Sequence, residues 1–314
     1  MSNRVFVTGA TGEVGRRVVP ELIRLGYDVT AVGRSEEKRA ALAKVGATPV
    51  ASPSNEHGRI STSVAARALA GHSTVINLAT HMPPSTMRMM LPWEWRENDH
   101  IRCEDSAALV TAALEAGVTR FVQESFAPVY ADEGDRWIDE SCPIEPVKYN
   151  RTVVDAERSA ARFTSSGGVG IALRFAGFYG PDQLLRDMVG VVRKGWSPVP
   201  GPPQSYWSSC AHDDAASAVV AALRPNVAAG TYNVCDDEPL HRIEWTETLA
   251  RAAGAQMPKQ IPAWLSKLNG TMQLLSRSQR MSNAKLRQAS GWSPTWKSAR
   301  EGLPNAVAML ATAA

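Results

Sequence analysis

Three glycines, each three residues from the next, follow the first apolar segment of the chain. They are Gly9, Gly12 and Gly15, and an amphipathic stretch with apolar residues at helical spacing comes after them. At a turn between a strand and a helix, glycines let backbone N–H groups approach a pyrophosphate at the helix N-terminus. The last glycine also lets the helix pack closely against the strand. The pattern therefore predicts a dinucleotide-binding unit, although a turn without a ligand would have the same spacing.

Short apolar runs alternate with amphipathic stretches over most of the chain. This alternation is typical of parallel strands joined by helices, so it predicts an α/β fold with a doubly wound parallel Rossmann sheet. The predicted strands are residues 4–7, 29–32, 47–50, 74–79, 120–123, 170–174 and 231–234. The predicted helices are residues 14–25, 35–45, 64–70, 103–116, 152–163 and 213–223.

Beyond residue 174 the chain becomes rich in proline and less regular. We predict an NADP-binding Rossmann domain over residues 1–174, to which residues 211–236 return. Residues 175–210 and 237–314 are predicted to form a smaller, mostly helical C-terminal substrate-binding subdomain. It would pack beside the carboxyl edge of the sheet, where open α/β folds bind ligands.

The composition argues against several classes of protein. The 34 basic and 31 acidic residues give a net charge of +3 and form no block of like charge, so no nucleic-acid partner is expected. The four cysteines lack the paired spacing of a zinc site or a disulfide framework, so no metal is expected. The first residues lack the apolar run typical of a signal peptide, and no stretch of about 18 residues is uninterruptedly apolar, so we expect a cytoplasmic protein with no membrane partner.

The end of the second predicted strand bears on the choice between NADP(H) and NAD(H). An acidic residue there accepts hydrogen bonds from the ribose 2′-hydroxyl, whereas an arginine pairs with the 2′-phosphate. This chain has Arg34 there, followed by Ser35 and then by Lys38 and Arg39. We therefore predict NADP(H) as the preferred cofactor, with NAD(H) as the alternative if Arg34 is an ordinary surface arginine.

Several short segments occur in the order and at the spacing of one protein family. They are residues 8–15 (TGATGEVG), 77–79 (NLA), 116–122 (AGVTRFV), 174–181 (RFAGFYGP), 211–214 (AHDD), 233–234 (NV) and 291–294 (GWSP). Over nearly its whole length the chain resembles the extended short-chain dehydrogenase/reductase superfamily, of the NAD-dependent epimerase/dehydratase type. The resemblance implies a nicotinamide dinucleotide held by Gly9, Thr11, Gly12, Glu13, Val14, Gly15, Arg34, Leu78, Ala79, Thr80, Tyr149 and Phe175.

The catalytic motifs of that family are only partly present. Its Tyr-x-x-x-Lys motif keeps the tyrosine as Tyr149, but Val153 stands at the lysine position. The family has Ser or Thr four residues before a second tyrosine, where this chain has Phe126, with Ser125 one place earlier. The predicted catalytic residues are Tyr149 and Ser125, with Glu124 as a further acid or base. The alternatives are a packing tyrosine, a serine at a strand end and a salt-bridged carboxylate.

The valine changes the chemistry that Tyr149 can perform, because in the family the lysine lowers the tyrosine pKa. A tyrosine of pKa about 10 is ionised in only about one molecule in a thousand at pH 7, which costs a mechanism that needs the base roughly 4 kcal/mol. A neutral tyrosine can still donate a proton to a carbonyl oxygen as hydride arrives, so reduction is favoured over oxidation. Lys148, Arg151 or Arg102 could supply a substitute cation.

Two segments that are expected to close over the substrate are rich in methionine and aromatic residues. They follow the fourth and sixth predicted strands, and their composition suits an apolar or aromatic ligand better than a nucleotide sugar. Tryptophans also stack on sugars, and a core between subdomains would have the same composition. The predicted substrate-contacting residues are His81, Trp93, Phe126, Phe178 and Tyr179.

The sequence supports three hypotheses for function. The first is an NADP(H)-dependent oxidoreductase that reduces a carbonyl group of a small, rather apolar substrate, with Tyr149 as proton donor. The second, suggested by Val153, is a non-catalytic dinucleotide-binding sensor or scaffold. The third is a redox-neutral epimerase or lyase that uses Glu124 or His81. The resemblance also implies a homodimer, because family members often pair through two helices that flank the sheet.

Overall fold

The computed structural model of the protein describes residues 3–83, 86–89, 91–147, 150–261 and 270–312. Its main strands are β1 (Arg4–Thr8), β2 (Asp28–Val32), β3 (Thr48–Val50), β4 (Thr74–Asn77), β5 (Arg120–Phe126), β6 (Val169–Phe175) and β7 (Gly230–Val234). They form one parallel sheet in the order β3-β2-β1-β4-β5-β6-β7. The chain reverses direction across the sheet between β1 and β4, which confirms the predicted doubly wound Rossmann fold.

Helices connect these strands and form most of the region after β7. Those of seven residues or more in the described part are α1 (Gly15–Arg24), α2 (Glu36–Lys44), α3 (Thr62–Leu69), α4 (Ser106–Glu115), α5 (Thr152–Ser165), α6 (Gln183–Arg193), α7 (His212–Ala221), α8 (Arg242–Ala252), α9 (Ala284–Ser290) and α10 (Ala299–Thr312). None of the helices in the described part is long and apolar enough to cross a membrane.

The helices cover both faces of the sheet. On one face α1 contacts α7, and Val18, Val19 and Leu22 of α1 are fully buried in the core. On the other face α4 lies between α3 and α5, where Phe121 and Phe163 pack with ring centroids 5.6 Å apart. A parallel sheet buried on both faces explains why its strands are apolar runs without alternation.

The structure corrects the predicted helix over residues 103–116. The helical run begins earlier, at Arg96–His100, and passes through a π-helical turn at Ile101–Asp105 before α4. Ser106 donates through its Oγ to the carbonyl oxygen of Ile101 at 3.0 Å, which satisfies an acceptor at the irregular turn. Single π turns inside helices occur frequently at functional sites. This one places Arg102 in a buried position below the carboxyl edge of the sheet.

The region after β6 has a second buried core. Helices α6, α8 and α10 pack together around Trp245, whose indole Nε1 donates to Ser209 Oγ at 3.0 Å. The fully buried Arg242 donates to the carbonyl oxygens of Pro200 at 2.6 Å and Tyr206 at 2.7 Å. Burial lowers the pKa of Arg242 to about 9. These bonds tie the proline-rich loop to the N-terminus of α8, so the loop is held in place beside the sheet.

A buried ion pair links β6 to α5. Arg174 donates to both carboxylate oxygens of Glu157, with Nε–Oε1 and Nη2–Oε2 distances of 2.7 Å each. Ser125 of β5 donates through Oγ to Glu157 Oε1 at 2.6 Å. The Arg174 and Glu157 side chains are only 6% and 11% exposed. Because the pair is bidentate and largely desolvated, each charge depends on the other for compensation.

We expect Arg174→Leu to lower the free energy of unfolding by about 3–5 kcal/mol, because it leaves the Glu157 carboxylate buried without its cation. The matched control is Arg158→Ala, which removes the cation of an exposed pair with Asp155 on the same helix. The control should cost less than about 1 kcal/mol. Urea unfolding at equilibrium measures both variants, and equal losses would contradict the difference in burial.

Candidate cofactor and substrate site

A cavity of about 430 Å³ opens at the carboxyl ends of β1, β4, β5 and β6. The glycine turn between β1 and α1 forms one wall, and Leu78 and Thr80 after β4 form another. The apolar and aromatic residues of the remaining lining are Met82, Pro83, Met89, Trp95, Phe126, Phe175, Phe178 and Leu184. Its polar and charged residues are Arg102, Glu124, Asp182, Gln183, Asp187 and His212. A cavity at this edge, where the strand order reverses, is the usual ligand site of an open α/β sheet.

Each glycine of the turn has a distinct role. Gly9 has a φ of +65°, and a Cβ there would lie 2.2 Å from the carbonyl oxygen of Leu78. A Cβ on Gly15 would lie 2.2 Å from the carbonyl oxygen of Gly9. At Gly12, which lines the cavity, a Cβ would contact only the Gly9 oxygen, at 3.3 Å. The first and third glycines are therefore required by chain packing, while the second leaves room for a ligand.

The N-terminus of α1 faces the same cavity and is suited to an anion. Val14 at the N-cap makes no side-chain capping bond, and the first turn of α1 contains no acidic residue. The first N–H groups of a helix lack partners within it, and the helix dipole attracts negative charge to them. The carboxylate of Glu13 is compensated by ion pairs with Arg16 and, at 3.2 Å, with Arg17. These features fit the pyrophosphate of a dinucleotide.

A second cavity, of about 200 Å³, adjoins the first at the glycine turn. Arg34 and Lys38 line it, together with Ser52 and Ser54. The backbone N–H of Lys38 donates to Ser35 Oγ at 3.2 Å at the start of α2. Neither Arg34 nor Lys38 forms an ion pair with another residue of the described ranges. Two cations without a carboxylate partner beside a small cavity fit a phosphate group.

Arg102 and Glu124 form an ion pair in the wall of the larger cavity. The Arg102 Nη2 donates to Glu124 Oε1 at 2.7 Å, and the two residues are 5% and 9% exposed. The pair is held by this single bond. Arg102 Nε and Glu124 Oε2 are buried and have no hydrogen-bond partner among the described residues. Unpartnered buried polar atoms are costly, so these two require a partner, either a water molecule or a ligand group, that the protein does not supply.

A histidine also lines the larger cavity. His212 is 3% exposed, and its ring lies 5.4 Å from the Phe178 ring centroid and 3.6 Å, through Nε2, from Asp182 Oδ2. Burial, with a smaller contribution from Arg17 and Arg16, lowers the pKa of His212 to about 3, so the imidazole is neutral at physiological pH. Within the described residues, no group of three or more His, Cys, Asp or Glu side chains is placed to hold a metal.

The structure brings most of the predicted site residues to these two cavities. Gly9, Gly12, Glu13, Val14, Gly15, Leu78, Thr80, Glu124, Phe126, Phe175 and Phe178 line the larger one. Thr11, Arg34 and Ala79 line the smaller one. Tyr149 lies outside the described residues, so its place at the site stays a prediction.

Four predicted residues are not in the lining of either cavity. Ser125 is bonded to Glu157, because successive residues of β5 face opposite sides and Glu124 and Phe126 take the cavity side. Tyr179 is buried in the core around α8 and α10. Trp93 is 57% exposed, whereas Trp95, two residues later, lines the larger cavity. The backbone N–H of His81 donates to Asn98 at 3.0 Å, outside the lining.

The lining residues to which sequence reasoning gave no site role include Trp95, Asp182 and His212. His212 belongs to the AHDD segment, which served only as a mark of resemblance, and Asp182 follows the RFAGFYGP segment. Trp95 lies in the tryptophan-rich stretch whose orientation the sequence does not determine. A closer reading of the two segments could have found Asp182 and His212, since each follows a short strand, Gly177–Tyr179 or Ser209–Ala211, and these two strands pair in parallel as a separate two-stranded sheet.

The fold and the glycine turn define a dinucleotide-binding α/β protein, and comparisons with known proteins identify its family. A model of the NAD dependent epimerase/dehydratase family matches residues 5–235. The chain belongs to this family, as the motifs predict. A 3-diazoavenalumate denitrifying reductase from a Streptomyces species is 32% identical over 315 residues, which cover 96% of this chain and 99% of that protein.

Solved structures share the fold at lower identity. UDP-glucose 4-epimerase from Thermotoga maritima superposes with a TM-score of 0.78 at 19% identity over 99% of both chains. The human epimerase family protein SDR39U1, in a structure with NADPH, gives a TM-score of 0.75 at 18% identity, over 97% of this chain and 99% of that chain. MoeE5, in complex with UDP-glucuronic acid and NAD, gives 0.77 at 22% identity over 99% of this chain and 100% of that chain. Solved structures with this fold therefore include one with NAD and one with NADPH.

Proposed function

We propose that the protein is an NADPH-dependent reductase that transfers hydride to a small aromatic acceptor. The observation that carries the proposal is a single cavity that runs from the glycine turn to an aromatic wall containing a buried ion pair. The bound dinucleotide would supply the hydride. The glycine turn and the N-terminus of α1 would hold its pyrophosphate, and Leu78, Thr80 and Phe175 would surround its nicotinamide half. The aromatic side chains would exclude water from the acceptor.

The choice of NADPH over NADH rests on the second cavity. Arg34 follows β2 directly and lines this cavity with Lys38. A guanidinium can donate two parallel hydrogen bonds to a phosphate, and the opposite charges strengthen them. A neutral ribose hydroxyl offers no such charge, so Arg34 favours the phosphate of NADPH.

The four cysteines are all free thiols. This supports our proposal that the protein works in the reducing cytoplasm.

We expect Arg34→Ala to weaken NADPH binding by about 10- to 100-fold, since charge-assisted hydrogen bonds to the 2′-phosphate are lost. NADH, which lacks that phosphate, should bind this variant as it binds the unaltered protein. The control is Lys44→Ala, at the far, exposed end of α2, the helix that begins two residues after Arg34. Fluorescence titration with both cofactors measures the effect. Tighter binding of NADH than of NADPH by the unaltered protein would contradict the proposal.

A carbonyl group is the first candidate acceptor. Hydride forms the new C–H bond, the carbonyl π electrons move to oxygen, and a proton from Tyr149 completes the alcohol. Val153, four residues on, has an apolar side chain that is fully buried on α5. Unlike a lysine at this position, it supplies no charge to the tyrosine. The proton donor would therefore be a neutral phenol, which suits reduction and disfavours the reverse reaction.

A diazo group is the second candidate acceptor, favoured by the Streptomyces relative, which is named as a denitrifying reductase of 3-diazoavenalumate. In an arenediazonium ion, hydride would form a C–H bond at the ring carbon while the C–N bond breaks and N₂ leaves. The positive charge of the diazonium ion and the negative charge of the hydride cancel, so no proton is needed to complete the product. This reaction would not need the lysine that Val153 replaces.

The two acceptors are distinguished by Tyr149→Phe. For aromatic aldehydes and ketones we expect kcat to fall by about 10²- to 10⁴-fold, because the proton donor is removed. Reduction of an arenediazonium salt should change by less than about threefold, since no proton transfer is involved. NADPH oxidation measures both rates, and Tyr27→Phe, at a tyrosine that lines neither cavity, serves as the control. Full carbonyl reduction by Tyr149→Phe would contradict the role of this tyrosine.

A further inference from the structure

We propose that the Arg102–Glu124 pair is a hydroxyl-recognition site, and that the aromatic substrate carries a phenolic hydroxyl bound there. The inference rests on the proposed function and adds the group by which the substrate is selected. It rests on three observations: the hydrogen bonding of the pair is incomplete, the pair lines the cavity, and the cavity wall around it is aromatic.

The bonding of the pair is incomplete on both sides. A guanidinium has five N–H donors and a carboxylate has two acceptor oxygens. Only Arg102 Nη2 and Glu124 Oε1 are joined, at 2.7 Å, while Arg102 Nε and Glu124 Oε2 are buried without a partner in the described part of the chain. The other buried pair of the sheet, Arg174 with Glu157, is bidentate, and its carboxylate also accepts from Ser125. Arg102 and Glu124 therefore lack the complete hydrogen bonding expected of a purely structural pair.

The two unpartnered atoms specify the ligand group. Glu124 Oε2 needs a hydrogen-bond donor, and Arg102 needs an acceptor. An ammonium group would satisfy the carboxylate but be repelled by the guanidinium. A carboxylate or a ketone would satisfy the arginine but present lone pairs to Glu124. A hydroxyl group both donates and accepts, so it is the one of these groups that can satisfy both atoms.

The surroundings indicate that the hydroxyl belongs to an aromatic ring. The cavity wall that contains the pair also contains Trp95, Phe126 and Phe178, and Met82 and Met89 are part of the same lining. Aromatic rings pack favourably against aromatic side chains and methionine sulfur. A phenol would thus place its ring on the wall and its oxygen on the pair.

The backbone also positions the pair. Arg102 lies in the π-helical turn Ile101–Asp105, and Glu124 lies near the end of β5, two residues before Phe126. Because side chains alternate along a strand, Glu124 and Phe126 share the cavity side, so the acceptor oxygen and an aromatic ring are presented together. Both groups would contact the substrate, and their proposed role is to select and orient it.

The test compares 4-hydroxyacetophenone with 4-methoxyacetophenone, which differ by one methyl group on the oxygen. Calorimetric titration is done with and without saturating NADP⁺, at a pH where the phenol keeps its proton. We expect the unaltered protein to bind the hydroxyl compound about 10- to 100-fold more tightly, because the methoxy group cannot donate to Glu124 and its methyl group crowds the pair. Equal affinities, or no binding of either probe, would overturn the proposal.

Two further variants separate recognition from folding. Glu124→Gln leaves Arg102 without its anion and could fail to fold, so Arg102→Met combined with Glu124→Leu is the decisive variant, since it buries no uncompensated charge. It should keep NADP⁺ binding and lose the hydroxyl preference to within about threefold. The control, Glu104→Gln, removes an exposed carboxylate from the same π-helical turn and should keep the preference. A double variant that still prefers the phenol would overturn the proposal.

The outcome is independent of the proposed reductase activity. If NADPH neither binds nor is oxidised, the proposed function fails, and the titrations without NADP⁺ still report on the pair. If NADPH binds and is oxidised but the two probes bind equally, the reductase stands and the hydroxyl site fails.

Discussion

The close approach of the turn after β1 to the end of β4 is the constraint on which the site depends. A side chain at Gly9 would overlap the Leu78 carbonyl group, and one at Gly15 would overlap the Gly9 carbonyl group. Because neither position has a side chain, α1 starts immediately beside the sheet edge and its N-terminus faces the cavity. Both cavities meet at this turn. The position expected for the pyrophosphate of a dinucleotide, and with it the positions of its two halves, follows from these two contacts.

Neighbouring residues of β5 are used for opposite purposes. Ser125 turns to the Glu157–Arg174 pair and completes its bonding, which contributes to stability. Glu124 turns to the cavity, where its pair with Arg102 is left open. Both ion pairs are buried. Protein groups complete the hydrogen bonding of the Glu157–Arg174 pair, whereas the Arg102–Glu124 pair keeps unpartnered atoms. The difference in bonding, more than in burial, separates a structural pair from a candidate binding pair.

Much of the fold could be predicted from the sequence because strand and helix periods are local signals. The alternation of apolar runs gave the sheet and most helices, and glycine spacing gave the cofactor turn. The side-chain direction of Ser125 depended on how far β5 extends, and the prediction ended that strand at residue 123 instead of Phe126. The π turn that buries Arg102 has no distinct sequence signal, and the exposure of Trp93 relative to Trp95 is decided by tertiary packing.

Deuterium transfer from the nicotinamide tests most directly whether this cavity performs reduction. The protein would be incubated with NADPH deuterated at C4 of the nicotinamide and with aromatic ketones, aldehydes and an arenediazonium salt, and the products analysed by mass spectrometry. We predict that at least one acceptor gains a single deuterium at the carbon that receives the hydride. Tight binding of NADPH with no deuterated product from any acceptor would contradict reductase activity and favour a sensor or scaffold.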